Sequence, residues 1–578
     1  MYDFIILGGG SAGCTLASRL SEERGFDVLL VEAGKDISET NAPADVLTNY
    51  PGKAYFNPDF TWPGLTAYLG NAGEGTRKPA RYEQARLLGG GSTINGLCAN
   101  RGAPADYEEW GQLGAAGWSW SSVLPYFRKL ERDIDFDGQY HGSYGPITIR
   151  RFPKEDRSPF IQAAVRALAN RGFAGIEDQN AAWEDGFMSV AASVDENGRR
   201  SCPALTYLSA EVRRRPNLRV LTEASVRRIV FDGRRAVGAE ISTHKGDETI
   251  RGREIILCCG ALHSPALLMR SGVGAAEQLR SLAIPVSADV PGVGKNLIEH
   301  PVISVSCYLA RNGRLTNLQR HHTQVHLRYS SQIEGSPQGD MLLALIARSG
   351  WHAIGQRVGS LYLWVNKPYS TGSVALRSAN PAVAPLVDFR LLSDPRDLRR
   401  LREGFRFIAE LAADPELDPV RTKIFPTNYS DRVRKVSSPG LRNRMQMRAL
   451  AAVLDGIPAA RGWLVDRIIT AGVKMSDLLS DDDTLDTFLQ QAVAGVWHPV
   501  GTCRMGQDDD PMAVTNASGK VRGVENLRVC DASVMPTIPS GNTNIPTIMV
   551  AERMADLIKG EHDRSPATRA VRPEAQSV

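Results

Sequence analysis

A chain of 578 residues, 42% of them hydrophobic, is long enough for several domains or for one large α/β body with an interwoven second lobe, and either buries a sizeable core. Its 68 Lys and Arg against 64 Asp and Glu leave a net charge of +4, too little over this length to single out nucleic acid or an anionic membrane as partner. The 8 cysteines are scattered, with no C-x-x-C pair and no histidine cluster at ligand spacing, so neither a disulfide framework nor a metal site is expected.

Residues 2–7 are an apolar run that breaks into Gly8-Gly9-Gly10-Ser11-Ala12-Gly13, and residues 28–31 are a second apolar run followed by Glu32 and Ala33. This order predicts a strand, a glycine turn, a helix and a strand ending in an acid. Glycines at the first, third and sixth positions let the backbone approach a pyrophosphate, whose charge sits at the helix N-terminus. Glu32 stands where a ribose seeks an acceptor. An acid about 20 residues beyond the glycines is the context that raises this motif above an ordinary turn. A dinucleotide is therefore expected on Gly8, Gly10, Ser11, Ala12, Gly13, Glu32 and Ala33. A fold that starts at residue 2 leaves no room for a leader, and no apolar stretch approaches a membrane span, so a cytoplasmic protein is expected.

Residues 41–78 are rich in Pro, Gly and aromatics without a period, and read as a long functional loop. Residues 106–131 are amphipathic, and their aromatics, Tyr107, Trp110, Trp118, Trp120, Tyr126 and Phe127, are expected in the core. Helices are expected at 158–172 and 205–215, with Arg213-Arg214-Arg215 as a solvated end stopped by Pro216. Residues 217–242 alternate as a strand pair about Asp232-Gly233. Residues 254–259 read as a short buried strand that opens a helix near Ser264. Strand-like runs at 302–309, 341–346, 361–365 and 372–376 predict a mostly antiparallel lobe, followed by a helix at 394–412. Residues 440–493 and 546–559 read as helical, and 561–578 as a disordered tail.

The expected fold is thus α/β, or α+β overall. A Rossmann-like domain of residues 1–157, 216–305 and 485–560 is interwoven with a substrate domain of antiparallel sheet plus helices, residues 158–215 and 306–484.

Four motifs sharpen this reading: Arg86-Leu87-Leu88-Gly89-Gly90-Gly91-Ser92-Thr93-Ile94-Asn95; Gly260-Ala261-Leu262-His263-Ser264-Pro265 running to Gly272-Val273-Gly274, with Pro291-Gly292-Val293-Gly294 and His300 beyond; Trp497-His498-Pro499 with Gly501-Thr502-Cys503-Arg504-Met505-Gly506; and Asp531-Ala532-Ser533 before Gly541-Asn542-Thr543-Asn544. In this order they make the chain resemble a glucose-methanol-choline (GMC) oxidoreductase along nearly its full length. Physically, glycines at 89–91 let backbone pass close to a flat ring, since a Cβ would collide with it. The Ser92 hydroxyl and the Asn95 amide then stand to bond the ring's polar rim.

The resemblance implies FAD held by Leu88, Gly90, Gly91, Ser92, Asn95, Gly96, Asp531, Ala532, Asn542 and Thr543, with Val226 at the adenine. It also implies that Ile94 stands where some members carry a histidine bonded to the flavin, so FAD is expected without a covalent bond. His498 is the expected base, because removing a hydroxyl proton as hydride leaves carbon suits an imidazole with an ordinary pKa of about 6.5. Asn542, 44 positions later, is expected to donate to the substrate oxygen, with Asn544 as rival. Val496 and Trp497 are expected against a flat apolar substrate, and His263 and His300 are read as packing or capping residues.

The likeness is nearest to members that oxidise aromatic or furanic primary alcohols with oxygen, yielding aldehyde and hydrogen peroxide. A dehydrogenase using a quinone or other acceptor, a non-redox lyase or decarboxylase of the same fold, a flavin binder without catalysis and a nicotinamide enzyme stay open at this point.

Overall fold

The computed structural model describes residues 1–71, 78–427, 430–470 and 472–564. Its first sheet is built on Tyr2–Leu7, which pairs in parallel with Val28–Val31 on one side and with the second half of Gly246–Leu257 on the other. Leu218–Leu221 extends the parallel sheet beyond Val28–Val31, and Leu527–Val529 extends it beyond Leu257. Phe4 to Leu7 are all buried rather than alternating, as expected of a parallel strand covered on both faces. Helices Ser11–Leu20 and Asn544–Arg564 pack together, and Asn544 meets the glycine turn at Ser11.

The second sheet is antiparallel. Its strands run in the order Arg421–Thr427, Pro301–Leu309, Val358–Val365, Met341–Ile346, Thr323–Tyr329 and Gly186–Ser189. Helix Pro395–Ala413 packs on Pro301–Leu309 and Val358–Val365. The short strand Ala494–Gly495 joins the sheet against Pro301 and Val302 and delivers the chain to His498.

Several expectations need correction. The boundary at 305/306 falls inside strand Pro301–Leu309, and Ala494–Gly495, assigned to the cofactor domain, pairs in the antiparallel sheet. Ser373–Ala375 leaves that sheet for a separate one, in which Leu386–Leu391 pairs with Thr66–Gly70. Thr66–Gly70 also shows that the stretch 41–78 is not wholly loop, although 72–77 lie outside the described residues. Of the run 254–259, residues 254–257 are the tail of a 12-residue strand, Gly246–Leu257, whose first half continues the hairpin Ser225–Asp232 and Arg235–Thr243. The helix expected at 205–215 is two single turns, Pro203–Thr206 and Ala210–Arg213. Arg213 there pairs with Asp36, and Arg215 donates to Ser18 and Ser21, so the basic run ties elements together.

The last helix continues through Arg564, with Glu561 paired to Arg528, so the tail does not begin at 561; residues 565–578 lie outside the described ones. Among the described residues no helix is long and apolar enough to cross a membrane.

Candidate active site

At the glycine turn lies a cavity of about 660 Å³, within the roughly 300–1,000 Å³ range of small-molecule and cofactor sites. Gly8, Gly10, Ser11, Ala12, Glu32, Ala33, Gly90, Gly91, Val226, Asp531 and Ala532 line it. Its shape depends on missing side chains. Gly90 has φ +54° and a Cβ there would sit 2.8 Å from Gly10 Cα, so the two glycine loops touch back to back.

Gly13, Leu88, Ser92, Asn95, Gly96 and Thr543 do not line the cavity. A Cβ on Gly13 would lie 1.9 Å from Gly8 O, so this glycine seats the helix on the strand. Ser92 Oγ donates to Gly89 O at 2.6 Å, and Asn95 Oδ1 accepts from Arg200 at 2.6 Å, so both polar groups also have partners within the protein. Glu32 is buried and its carboxylate accepts from the Gly9 and Gly34 amides at 2.8 and 2.7 Å, so it also braces the turn it was expected to serve. Burial raises its pKa against the pull of those amides. Asp531 accepts from Gly260 N and Ser264 Oγ and so ties the second motif to the fourth.

His263, read as packing, lines the cavity with its ring 4.6 Å from Trp62, over which Arg86 also stacks. Sequence reasoning missed this wall because Trp62, Arg86 and His263 converge only through tertiary contact.

The second half of the site surrounds His498, whose ring is buried. Trp497 adopts φ +61°, a left-handed conformation unusual for a bulky residue. The next amide, His498 N, donates to both carboxylate oxygens of Glu299 at 3.0 and 2.9 Å. Glu299 also accepts from the amides of His300 and Val496 and from Tyr82 OH at 2.5 Å. Burial nevertheless raises its pKa to about 7.

The side-chain hydrogen bonds have one consistent direction. His300 Nε2 lies 3.1 Å from Asn366 O, an acceptor only, so this nitrogen carries the proton. His300 Nδ1 is then a lone pair, and His498 Nδ1, 3.0 Å away, must donate to it. That leaves His498 Nε2 as an acceptor, 3.1 Å from the donating Nδ2 of Asn542. Asn542 Oδ1 in turn accepts from Asn100 Nδ2 at 2.5 Å. His300 is therefore a neighbour of the expected base, not a capping residue. Asn544 instead accepts from Ser11, away from His498. Burial lowers the His498 pKa to about 3, well below the ordinary value assumed from sequence.

Glu299, His300 and His498 come close enough together to hold an ion, a proximity that sequence spacing did not show. Their donor atoms are engaged with one another and with the backbone. Glu131, Asp133 and His141 form a second such group, in which Arg101 and Arg151 neutralise the acids.

Beside His498, Val496 packs with Val302, Leu342, Ala344, Trp364 and Tyr362 in an apolar cluster. Trp497 belongs to the main core instead, its indole N–H donating to Glu83 at 3.2 Å, so the two neighbours expected to share one role part company.

Family models described as GMC oxidoreductase match residues 2–302 and 368–551. The chain is 42% identical over 574 residues to 5-(hydroxymethyl)furfural oxidase of Methylovorus sp. (strain MP688), covering 96% of this chain and 98% of that one. It is 33% identical to an oxygen-dependent choline dehydrogenase of Pseudomonas fluorescens (strain SBW25), over 97% and 94% of the two chains. Among solved structures it is similar to pyridoxine 4-oxidase from Mesorbium loti, with TM-score 0.81, 25% identity and coverage of 97% and 99%. Two family matches spanning most of the chain, and relatives aligned end to end, agree with the paired sheets and the cavity between the glycine loops: the chain belongs to the GMC oxidoreductases, FAD-dependent enzymes of alcohol oxidation.

Proposed function

We propose that this protein oxidises a primary alcohol on an aromatic or furanic ring to the aldehyde, with His498 as the base and Asn542 as donor to the reacting oxygen. The observation that carries the reading is the directed chain from Asn366 through His300 and His498 to Asn542, which leaves a lone pair on His498 Nε2 beside an amide donor. A substrate hydroxyl entering between these two atoms gives its proton to Nε2 and accepts from Asn542 Nδ2. The low pKa of His498 keeps the ring neutral and accepting. A weak base suffices, because the hydroxyl becomes strongly acidic as hydride leaves its carbon. The apolar cluster of Val496, Trp364 and Tyr362 offers a wall for a flat ring.

The 660 Å³ cavity, with two glycine loops at its wall, fits FAD, and Gly8, Gly10, Glu32, Gly90 and Val226 would hold it. What FAD supplies when bound is a two-electron acceptor that oxygen regenerates with release of hydrogen peroxide. Binding without a covalent bond is supported by Ile94, which offers no nucleophile. Oxygen as acceptor is supported by the 42% identical relative, which is named an oxidase. The 8 free cysteines accord with a reducing, cytoplasmic setting.

An anaerobic screen of benzylic, furanic and aliphatic alcohols tests the reading. Aromatic alcohols should bleach the flavin, admitted air should restore it with peroxide, and denaturation should release free FAD. Failure of every alcohol to bleach it contradicts the proposal, and slow recovery in air moves it to a dehydrogenase.

A further inference from the structure

The small net charge of the whole chain conceals one strongly basic segment. Residues 430–474 carry nine Lys and Arg against three Asp, a net charge of +6, so the rest of the chain is slightly acidic. Two of those acids are taken from outside the segment, Asp455 by Arg314 and Arg357 and Asp466 by Lys423. Arg442, Arg444 and Arg448 are exposed and form no ion pair among the described residues.

Helix Leu441–Gly456 carries these arginines and has two apolar faces. One points inward, where Met447, Leu450, Ala451 and Leu454 pack against Tyr308 and Phe425. The other points to solvent. On a 3.6-residue period Leu441, Met445, Ala449, Ala452 and Gly456 share one stripe, all of them exposed, with Arg444 and Arg448 along one edge and Arg442 along the other. Leu441 and Met445 are 70 and 63% exposed. Just beyond, Ile457 and, in helix Pro458–Leu464, Trp463 are 51 and 64% exposed. Single exposed apolar side chains are ordinary, but a cluster of them rimmed by charge marks an interaction surface.

The segment is anchored to the body of the protein. Arg434 in helix Asp431–Ser437 pairs with Glu83 at 3.1 Å, and Trp351 donates to Ser437 O at 2.5 Å. With the inner face packed and these ties made, the outer stripe has no packing role within the chain. Its chemistry selects the partner. Two copies meeting through this face would bring two surfaces of +6 together, which opposes self-association. Apolar side chains and a tryptophan that enter to shallow depth, between arginines that stay at the polar level, fit a lipid headgroup layer of negative charge.

We propose that residues 441–463 dock this protein on an anionic lipid surface, lying in the headgroup layer without crossing it. Helix Leu441–Gly456 lies flat on that surface. Leu441, Met445, Ile457 and Trp463 enter the acyl boundary, while Arg442, Arg444 and Arg448 meet lipid phosphates. The proposal stands apart from the alcohol-oxidase reading, since none of these side chains touches the reacting groups.

The test is flotation of the FAD-loaded protein with vesicles of equal parts phosphatidylglycerol and phosphatidylcholine, against vesicles of phosphatidylcholine alone. Binding should be about 10-fold or more tighter on the anionic vesicles and should weaken at about 1 M salt. Arg442→Ala and Arg448→Ala should each weaken it roughly 5-fold, the effect of one basic residue near such a surface. Leu441→Ser combined with Met445→Ser should weaken it by about 10-fold or more. These positions are exposed, so each variant should reduce flavin with a dissolved alcohol at the wild-type rate, which separates lost docking from a lost fold. Brominated phosphatidylglycerol should quench wild-type tryptophan fluorescence more than that of Trp463→Phe, and equal quenching would overturn the placement of the surface. Absence of binding to the anionic vesicles, or equal binding to both kinds, overturns the proposal. A vesicle-free dimer that the Leu441→Ser, Met445→Ser variant dissolves overturns it in favour of a second copy of this chain.

Discussion

His300 donates from Nε2 to the carbonyl of Asn366, and that bond propagates through two more residues to decide which nitrogen of His498 is free. In the proposed mechanism the neighbour is a positioning residue, because the wrong tautomer would point a hydrogen where the substrate proton is to arrive. His300→Phe keeps a ring in place but removes the acceptor for His498 Nδ1–H. The variant should retain FAD and reduce it roughly 10- to 100-fold more slowly, the usual cost of losing such an orienting partner. Its rate should also show a changed dependence on pH, which a purely structural defect would not give. An unaltered rate and pH profile would remove His300 from the account.

At the scale of elements, the glycine turn shows how much rides on one absent side chain. An alanine at Gly13 would drive its Cβ to 1.9 Å from Gly8 O, prising helix Ser11–Leu20 from strand Tyr2–Leu7. Gly13→Ala should destabilise the protein by about 3 kcal/mol or more. Gly111, inside helix Pro104–Gln112, has open space at its Cβ, and Gly111→Ala should stabilise by about 0.5–1 kcal/mol. Thermal unfolding of the two variants checks both signs, and a harmless Gly13→Ala would contradict the packing described.

The turn was legible in the sequence because its glycines, helix and acid lie within 32 residues and each constrains its neighbours. Strand Thr323–Tyr329 was not read as a strand, since its buried polar face, Gln324, His326 and Arg328, imitates a solvated one. His498 and Asn542 were readable as motif members, whereas Glu299, Tyr82 and Asn100 reach the same site from distant segments with no local pattern to announce them. Trp497 shows the opposite failure. Adjacency suggested a role shared with Val496, and a left-handed backbone sends the two side chains to different clusters.

For the molecule as a whole, buried histidines set the response to acid. Burial holds His263, His321 and His352 at about 4 and His326 and His498 at about 3, with His300 and His322 also well below the ordinary value. Unfolding returns them to about 6.5, so below that pH the unfolded chain binds more protons and stability is lost as pH falls toward the folded values. At pH 5 a histidine held at about 4 in the folded state contributes a loss of about 2 kcal/mol. Glu32, Glu299 and Asp531, raised by burial, take up protons in the folded state and oppose this trend, but they are fewer. His141 differs. Burial pulls it down, yet Asp133, Asp178 and Glu131 hold it up to about 10, so its stabilisation is present below about 6.5 and lost only as pH rises through about 10. The thermal midpoint should therefore fall steadily from pH 6.5 to pH 4, and a midpoint that holds or rises over that range would contradict the burial of these rings.

The central claim is that His498 Nε2 takes the hydroxyl proton with Asn542 beside it, and anaerobic stopped-flow flavin reduction with a benzylic alcohol tests it most directly. His498→Ala should keep its fold and FAD while reducing flavin about 10² to 10⁴ times more slowly, the range for losing a general base. Asn542→Ala should lose less, roughly 10- to 1000-fold, since it removes one donor to the developing charge and leaves proton transfer in place. Wild-type reduction should hold its rate down to a pH well below 6.5, because burial keeps the His498 ring neutral there. A His498→Ala variant that reduces flavin at the wild-type rate, while Asn542→Ala is inactive, would contradict the assignment of the base.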